Sequence, residues 1–230
     1  MKISFLNKIL ATDNIFIDTT YFLIRFFLGP IVRLIWVKKI TGFKNIPKEG
    51  PVIVAFNHQS YFDFICFIAV SPRNIHYLSA EKFFDNALWR FALSVTGQIP
   101  VYRKSKDKRV LHRMVYDHLD QNKMIGIFPE GTRAPDSSIM LRAYPGVAMY
   151  AIKKRVPIVP VGITGAFEVL SRHENFPKLK KIVTINIGNP VYFKEYHSVK
   201  LNRRAHGILA DKIMIEISKL SGKIYPFHNA

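Results

Sequence analysis

The sequence has little cysteine and few acidic residues. Its one cysteine among 230 residues is Cys66, inside "DFICFIAV", so the chain forms no internal disulfide and we expect this thiol to be a small buried apolar group. Acidic residues number 16 against 34 lysines and arginines, which gives a formal net charge of +18. This imbalance predicts an anionic partner: nucleic acid, an anionic membrane surface or a phosphorylated substrate.

Several familiar motifs are missing as well. There is no zinc-finger spacing, arginine-rich tail or RNA-binding aromatic signature, so membrane and phosphate rank above nucleic acid and we expect no nucleic-acid partner. There is no H-E-x-x-H motif, and we expect no metal site. There is no G-x-S-x-G motif, so the sequence offers no serine on a nucleophile elbow. The chain length fits one large domain better than two.

The N-terminal part holds one long apolar run, "IFIDTTYFLIRFFLGPIVRLIWV" at 15–37. It is long enough to cross a bilayer, but Asp18, Arg25 and Arg33 interrupt it and Pro30 breaks its middle. On a helical projection the three charges fall on one side. A spanning helix would bury them in hydrocarbon at about 3 kcal/mol each. We therefore predict a kinked pair of amphipathic helices in the membrane interface, with a spanning helix or plain core helices as alternatives.

We assign residues 1–44 to this membrane-associated N-terminal segment and residues 45–230 to the main domain. No small-residue cleavage site follows the apolar run, which argues against a signal peptide. The lysines that follow the run are placed to meet anionic headgroups: Lys38, Lys39, Lys44 and Lys48. The expected location is the membrane, on its cytoplasmic face.

From residue 47 onward, short apolar strands alternate with helical patterns. This alternation predicts an α/β fold: a three-layer domain with a mostly parallel central sheet flanked by helices. Sheets of this kind carry their sites at the carboxyl ends of the strands. The predicted strands are 51–56, 75–80, 97–103, 123–128, 156–163 and 181–188, and the predicted helices are 61–70, 82–95, 107–122, 146–154 and 204–220.

A histidine and an aspartate follow the first strand in "NHQSYFD" (57–63). Ser60 is a suitable helix N-cap, which places Asp63 in the first helical turn. Side chains on a helix lean toward its N-terminus, so the Asp63 carboxylate points back toward His58. One interpretation is a helix cap beside an incidental histidine. The other is that Asp63 holds Nδ1 of His58 and leaves Nε2 free as a general base. The spacing alone leaves both open.

The sequence offers no obvious protein nucleophile for such a base to activate. Ser60 already has a capping role, and Cys66 lies in an apolar helix. The expected target is therefore a hydroxyl group on the substrate, with no covalent enzyme intermediate.

Two arginine motifs also follow strands. "IPVYR" ends with Arg103, and "FPEGTR" supplies Glu130, Gly131 and Arg133. Guanidinium groups bind phosphate through paired hydrogen bonds, and a glycine lets backbone amides approach an anion. We expect these neighbouring strand ends to form a phosphate pocket beside the histidine. Taken singly, an ordinary β-turn and solvated surface arginines remain alternatives.

Together, "NHQSYFD", "GQIPVYR", "FPEGTR" and "VPIVPVGI" occur in an order that closely resembles the glycerolipid acyltransferase family, over about residues 45–190. The best-known members are 1-acyl-sn-glycerol-3-phosphate acyltransferases. The resemblance implies that His58 is the general base and Asp63 its partner. The implied acceptor site comprises Arg103, Glu130, Gly131, Thr132 and Arg133. One position departs from the family pattern, because Tyr144 stands where a lysine is usual, and Arg142 is the candidate to substitute for that lysine.

The resemblance implies transfer of a fatty acyl group from an acyl thioester to the sn-2 hydroxyl of 1-acyl-sn-glycerol 3-phosphate (lysophosphatidic acid). The product would be phosphatidic acid, in phospholipid biosynthesis. The donor would be acyl-CoA or acyl-ACP (acyl carrier protein), a co-substrate, and no further cofactor is expected. Alternative acceptors are glycerol 3-phosphate or another lysophospholipid. Other classes left open are a thioester hydrolase and a non-enzymatic basic protein that binds membranes or nucleic acid.

Overall fold

A seven-stranded sheet forms the centre of the molecule in the computed structural model, which describes residues 14–105 and 107–227. The strand order is β1-β7-β6-β2-β5-β3-β4, and every pair is parallel except β6 with β7. The mostly parallel sheet confirms the predicted α/β fold. The strands are β1 (Val37–Thr41), β2 (Val52–Phe56), β3 (Ile75–Ala80), β4 (Ile99–Val101), β5 (Met124–Ile127), β6 (Ile158–Thr164) and β7 (Val183–Ile187).

Helices connect most of these strands, as the alternating pattern predicts. Short 3-10 turns lie at Phe43–Asn45 and Lys194–Tyr196. The helices are α1 (Asn14–Leu23), α2 (Gly29–Ile35), α3 (Phe62–Val70), α4 (Lys82–Asp85), α5 (Ala87–Val95), α6 (Arg109–Asp120), α7 (Gly146–Lys154), α8 (Ala166–Val169) and α9 (Arg203–Ser221).

The helices cover both faces of the sheet. Successive side chains of a strand point to opposite faces, so Val54 and Phe56 pack in the core under α1, α2, α3 and α8. Ile53 and Ala55 pack in the other core, under α6, α7 and α9. β2 is therefore buried on both faces, which explains its uninterrupted apolar sequence. The three-layer prediction is confirmed.

The predicted helix at 82–95 is two helices in the structure. Asn86 has extended backbone angles, and its side chain accepts hydrogen bonds from the N–H groups of Leu88 and Trp89. This N-cap begins α5 and separates it from α4. The strand predicted at 97–103 is shorter, Ile99–Val101, because Gly97 (φ +63°) sits in a turn before it.

The N-terminal apolar helix does not end at Pro30. Its hydrogen-bond pattern changes just before this residue instead. A π-helical turn (Ile24–Leu28) joins α1 to α2, and the N–H of Gly29 donates to the carbonyl of Ile24 five residues back. Pro30 has no N–H to donate, and a π turn accommodates this loss without ending the helical path. The segment Ile15–Ile35 has a mean hydropathy of 1.6 and is long and apolar enough to cross a membrane.

The three charged side chains of this segment face the rest of the protein. Arg25 donates to the side chain of Asn74 at 2.8 Å, and Asn74 in turn donates to Asp18. Arg33 donates to the carbonyl of Ala69 at 3.1 Å. The prediction that these charges share one side of the helix is confirmed, and their partners are protein groups.

The division into residues 1–44 and 45–230 stays a prediction. Residues 1–13 lie outside the described part of the chain. β1 precedes residue 45 and forms one edge of the sheet, paired with β7. The segment 1–44 therefore contributes a strand to the main domain as well as the apolar helix.

Candidate functional site: a histidine–aspartate pair at the carboxyl edge of the sheet

The predicted site residues follow the carboxyl ends of β2, β4 and β5. β2 and β5 are adjacent parallel strands, so the chain after each of them emerges at the same edge. β2 leads to His58 and β5 leads to Glu130. β4 lies farther away, because β3 separates it from β5. The expectation that the two arginine motifs follow neighbouring strands is therefore wrong, although the long side chain of Arg103 crosses the gap.

The structure brings His58 and Asp63 into direct contact. Nδ1 of His58 lies 3.0 Å from Oδ2 of Asp63. The same oxygen accepts the backbone N–H groups of Gln59 and Ser60, each at 2.9 Å. Asp63 thus both stabilises the start of α3 and orients the imidazole of His58. The predicted contact between Asp63 and Nδ1 of His58 is present, and the role of His58 as a general base stays a prediction.

Ser60 and Cys66 are both occupied elsewhere. Oγ of Ser60 accepts the N–H of Phe62 at 2.9 Å and donates to the carbonyl of Leu170 at 2.6 Å. Cys66 is fully buried, and burial raises the pKa of its thiol far above the ordinary value. The prediction of Cys66 as a buried apolar group is confirmed. The predicted N-cap is wrong by one residue: Tyr61 is the N-cap of α3, and Ser60 lies just before it while still accepting the Phe62 N–H.

The imidazole of His58 keeps its second nitrogen available. Its ring stacks on Phe128, with 4.0 Å between ring centroids, and its side chain is 13% exposed while that of Asp63 is 1% exposed. Within residues 14–105 and 107–227, no group hydrogen-bonds with Nε2. Because Nδ1 is held by a carboxylate, the tautomer with an unprotonated Nε2 is favoured. This nitrogen can accept a proton from a ligand.

Glu130 is a buried carboxyl group that ties two loops together. Its Oε1 accepts the N–H of His58 at 2.7 Å, and its Oε2 accepts the N–H of Leu141 at 2.7 Å. Burial raises the pKa of this carboxyl group from 4.5 to about 7, although the two backbone hydrogen bonds oppose the shift. Glu130 therefore positions the histidine loop, in addition to the acceptor-binding role that the resemblance implies.

Glu130→Gln is expected to remove a pH-dependent loss of stability. The folded state holds the proton more tightly than the unfolded chain, whose pKa is near 4.5. It therefore binds more protons in this window, and the free energy of unfolding falls as pH rises from about 4.5 to about 7. The difference in the free energy of unfolding between wild type and Glu130→Gln is therefore expected to change by roughly 1–3 kcal/mol over this pH range. Urea unfolding at several pH values measures this difference, and parallel pH curves would contradict it.

Gly131 and Tyr144 shape the turn after β5. Gly131 has φ +67°, and a Cβ there would lie 2.8 Å from the Tyr144 ring. Glycine is favoured at this left-handed position, where another side chain would be strained and would push the Tyr144 ring aside. The guanidinium of Arg103 donates to the Gly131 carbonyl, so the two predicted acceptor residues are in contact. Thr132, which follows, is exposed.

Arg133 lies against the aromatic ring of Tyr61. Its Cζ is 3.7 Å from the ring centroid, a cation–π arrangement. Tyr61 in turn meets Phe83 edge to face at 5.3 Å. Arg133 and Arg103 therefore contact different groups, and their phosphate-binding role stays a prediction.

Two structural supports of the site escape sequence reasoning. Asn57 exchanges two hydrogen bonds with the backbone of Ile163, at 2.8 and 2.9 Å, and so fixes the end of β2 against β6. Lys223 is nearly buried and donates to the carbonyl of Ser137, in the loop after Arg133. A polar residue ending a buried strand is a usable signal for Asn57. Lys223 is remote in sequence and gives none.

The part of the chain that carries these site residues matches a known family. A family model described as Acyltransferase matches residues 38–164, which is more than half of the chain. The chain belongs to the Acyltransferase family. The matched region contains the His58–Asp63 pair, Arg103 and the Glu130–Arg133 turn. The predicted family is confirmed.

Two relatives of this acyltransferase carry the same name. A 1-acyl-sn-glycerol-3-phosphate acyltransferase from Helicobacter pylori is 30% identical over 136 residues, which span 59% of this chain but only 56% of that protein. The enzyme of the same name from Bacillus subtilis is 24% identical over 187 residues, covering 81% of this chain and 89% of that protein.

One solved structure supports the fold. The crystal structure of the 1-acyl-sn-glycerophosphate (LPA) acyltransferase PlsC from Thermotoga maritima superposes with a TM-score of 0.69 at 21% identity. The superposition covers 94% of this chain and 88% of that chain. At this level of identity the likeness establishes the shared α/β fold.

Proposed function

We propose that this acyltransferase moves a fatty acyl group from a thioester to the sn-2 hydroxyl of 1-acyl-sn-glycerol 3-phosphate. The product would be phosphatidic acid, a precursor in phospholipid biosynthesis. The 3.0 Å contact between His58 and Asp63 at the carboxyl edge of the sheet carries the proposal. The names of the relatives from H. pylori and B. subtilis support the choice of acceptor.

The chemistry uses His58 as a general base. Its Nε2 removes the proton of the acceptor hydroxyl as that oxygen attacks the thioester carbonyl, and Asp63 stabilises the imidazolium that forms. The tetrahedral intermediate then expels the thiolate, which takes the proton back from Nε2. The products are an ester and a free thiol. No acyl group is attached to the protein at any stage.

The turn after β5 offers donors for the negative oxygen of the intermediate. Among the described residues, the backbone N–H groups of Thr132 and Arg133 donate no hydrogen bond, and the neighbouring Ala134 N–H donates to the His58 carbonyl at 2.8 Å. This bond ties the turn to the histidine loop. Backbone donors held in place before the reaction stabilise an oxyanion effectively.

The acceptor phosphate carries about −1.5 to −2 charges at neutral pH. Arg103 and Arg133 are the proposed partners of this group, since guanidinium forks bind phosphate oxygens in pairs. Each of them already contacts part of the site, namely the Gly131 carbonyl and the Tyr61 ring. Holding the phosphate fixes the acceptor hydroxyl near Nε2 and lowers the entropic cost of the reaction.

The N-terminal helix supplies a surface for the membrane, where acceptor and product reside. Its charged side chains bond to the protein, whereas large apolar side chains cover the opposite side. We propose that this face enters the cytoplasmic leaflet, with the nearby lysines on anionic headgroups. The exposed apolar side chains are Ile15, Phe16, Phe22, Leu23, Phe26, Phe27, Leu28, Ile31 and Leu34.

Phe26→Glu with Leu34→Glu is expected to release the protein from anionic vesicles. The two side chains are 62% and 70% exposed, so the change removes apolar contact area while the folded core stays intact. Vesicle co-sedimentation is expected to fall at least about tenfold, because burying each such side chain contributes about 1.5–3 kcal/mol. Activity on detergent-dispersed acceptor should stay within about twofold.

The control is Val199→Glu, an apolar position outside the helix that is 52% exposed. It should bind vesicles as wild type does. Equal vesicle binding by the double variant and wild type would contradict the proposed membrane face.

An acceptor panel tests the proposed activity. Purified protein is given a labelled acyl thioester with 1-acyl-sn-glycerol 3-phosphate, glycerol 3-phosphate, other lysophospholipids or no acceptor. The proposal predicts the highest kcat/KM for the first acceptor and little thioester loss without one. A preference for another acceptor would revise the substrate, and equal thioester loss with no acceptor would identify a hydrolase.

A further inference from the structure

A second basic site lies beside the turn after β5. The structure has a cavity of about 790 Å³ there, between this turn, residues 141–145 and the beginning of α9. Cavities of about 300–1,000 Å³ are typical of sites for small molecules and cofactors. The residues that carry the argument are Glu130, Arg142, Tyr144, Arg203, Arg204 and Asp211.

The charge of this cavity favours an anion. In the part of the chain that the structure describes, Arg142, Arg203 and Arg204 donate no hydrogen bond and form no ion pair with a carboxylate. The two acidic residues of the wall are already engaged. Glu130 accepts two backbone N–H groups, and Asp211 accepts a tyrosine hydroxyl. Arg142 also lies over the Phe227 ring, with Cζ 6.0 Å from the centroid. Three arginines that line one cavity match a ligand with several phosphate oxygens.

This cavity is separate from the proposed acceptor arginines. Arg103 and Arg133 do not line it; they contact the Gly131 carbonyl and the Tyr61 ring instead. Arg203 and Arg204 also lie beyond residue 164, where the match to the family ends. The protein thus presents two sets of guanidinium groups near the same turn, and Glu130 and Thr132 of the predicted acceptor site also line the cavity. An acyl transfer between two phosphorylated reactants would use one set for each.

We propose that the cavity of Arg142, Arg203 and Arg204 binds the phosphates of the coenzyme A portion of the acyl donor. This inference rests on the proposed acyl transfer. A nucleotide with several phosphates binds in a concave site, whereas a carrier protein would dock on an open surface. Tyr144 is 63% exposed in the wall and offers a ring on which an adenine base stacks.

The position of the cavity fits the delivery of a thioester to His58. Glu130 lines the cavity and accepts the backbone N–H of His58, so one residue bridges the donor site and the base. With the phosphates held at the arginines, the flexible pantetheine arm can carry the thioester carbonyl toward Nε2.

The test compares donors with and without phosphate on Arg203→Ala/Arg204→Ala and on Arg142→Ala. We expect the KM for acyl-CoA to rise roughly 10- to 100-fold in the double variant, since each charged hydrogen bond to phosphate contributes substantially. The KM for 1-acyl-sn-glycerol 3-phosphate should not change. The rate with an acyl-N-acetylcysteamine thioester, which lacks phosphate, should also not change. Arg113→Ala/Lys153→Ala removes the same charge from two exposed positions outside the cavity and should behave as wild type.

A direct binding measurement tests this inference independently of the proposed acyl transfer. Calorimetric titration with coenzyme A alone requires no turnover, and we expect the affinity to fall in the arginine variants but not in the control. Unchanged affinity and unchanged KM in the arginine variants would overturn the inference, whether or not the wild type transfers acyl groups. A rise in the KM for the acceptor alone would also overturn it, because the cavity would then hold the acceptor phosphate. The inference would also be overturned if the protein used acyl-ACP as donor and did not use acyl-CoA.

Discussion

Replacing His58 by alanine is expected to reduce acyl transfer to a small but measurable residual rate. The substitution removes the group that takes the acceptor proton, an effect of about 10²- to 10⁴-fold on kcat for a general base. The KM values should change little, since the imidazole contributes to proton transfer more than to binding. The measurement is the initial rate with labelled thioester and 1-acyl-sn-glycerol 3-phosphate.

The matched control for this variant is His173→Ala. His173 is exposed, and in the described residues it forms no hydrogen bond or ion pair, so its removal should leave the rate unchanged. Both variants should give the circular dichroism spectrum of the wild type. A His58→Ala protein with more than about a tenth of wild-type kcat would be incompatible with a general base at this position.

Asp63→Asn is expected to lower kcat by about 10²- to 10⁴-fold while the KM for the acceptor stays within about twofold. The asparagine keeps an oxygen for the N–H groups of Gln59 and Ser60. It removes the negative charge that stabilises the imidazolium formed when His58 takes up a proton. The reaction step should therefore suffer much more than binding.

The stability of Asp63→Asn separates its two roles. Weakening of the contacts at the start of α3 should cost about 1 kcal/mol of unfolding free energy, the usual scale for a helix cap. A rate loss that follows only the unfolded fraction of the variant would show that Asp63 acts as a structural cap alone. A rate loss in fully folded protein supports its role as the partner of His58.

The fold follows from the sequence because its strands are short and apolar and its helices are amphipathic. The helix at Gly146–Lys154 and the strand at Ile75–Ala80 have the predicted bounds. The errors arise where one polar residue or one missing N–H decides local hydrogen bonding. Asn86 divides a predicted helix, and the chain before Pro30 forms a π turn in place of a break. Such choices depend on few hydrogen bonds and leave only a weak periodic signal.

The candidate site could be predicted only in part, because the sequence shows local contacts but not the order of the strands. His58 and Asp63 are five residues apart, so local geometry alone brings them together, and the contact at 3.0 Å agrees with that expectation. The order of the strands is not a local property, and the sequence gives no sign that β3 lies between β4 and β5. The cavity of Arg142, Arg203 and Arg204 joins a loop and the beginning of α9, which are about 60 residues apart in the sequence. Only tertiary packing shows it.

The kcat of the His58→Ala/Asp63→Asn double variant, compared with that of His58→Ala, tests the cooperation of the two side chains most directly. If Asp63 acts on the reaction through His58, removing its charge after the imidazole is gone should cost less than about twofold further. If the two residues act independently, the double variant should lose the additional factor of about 10² or more that Asp63→Asn produces by itself. That second result would contradict a general base held by its neighbouring carboxylate.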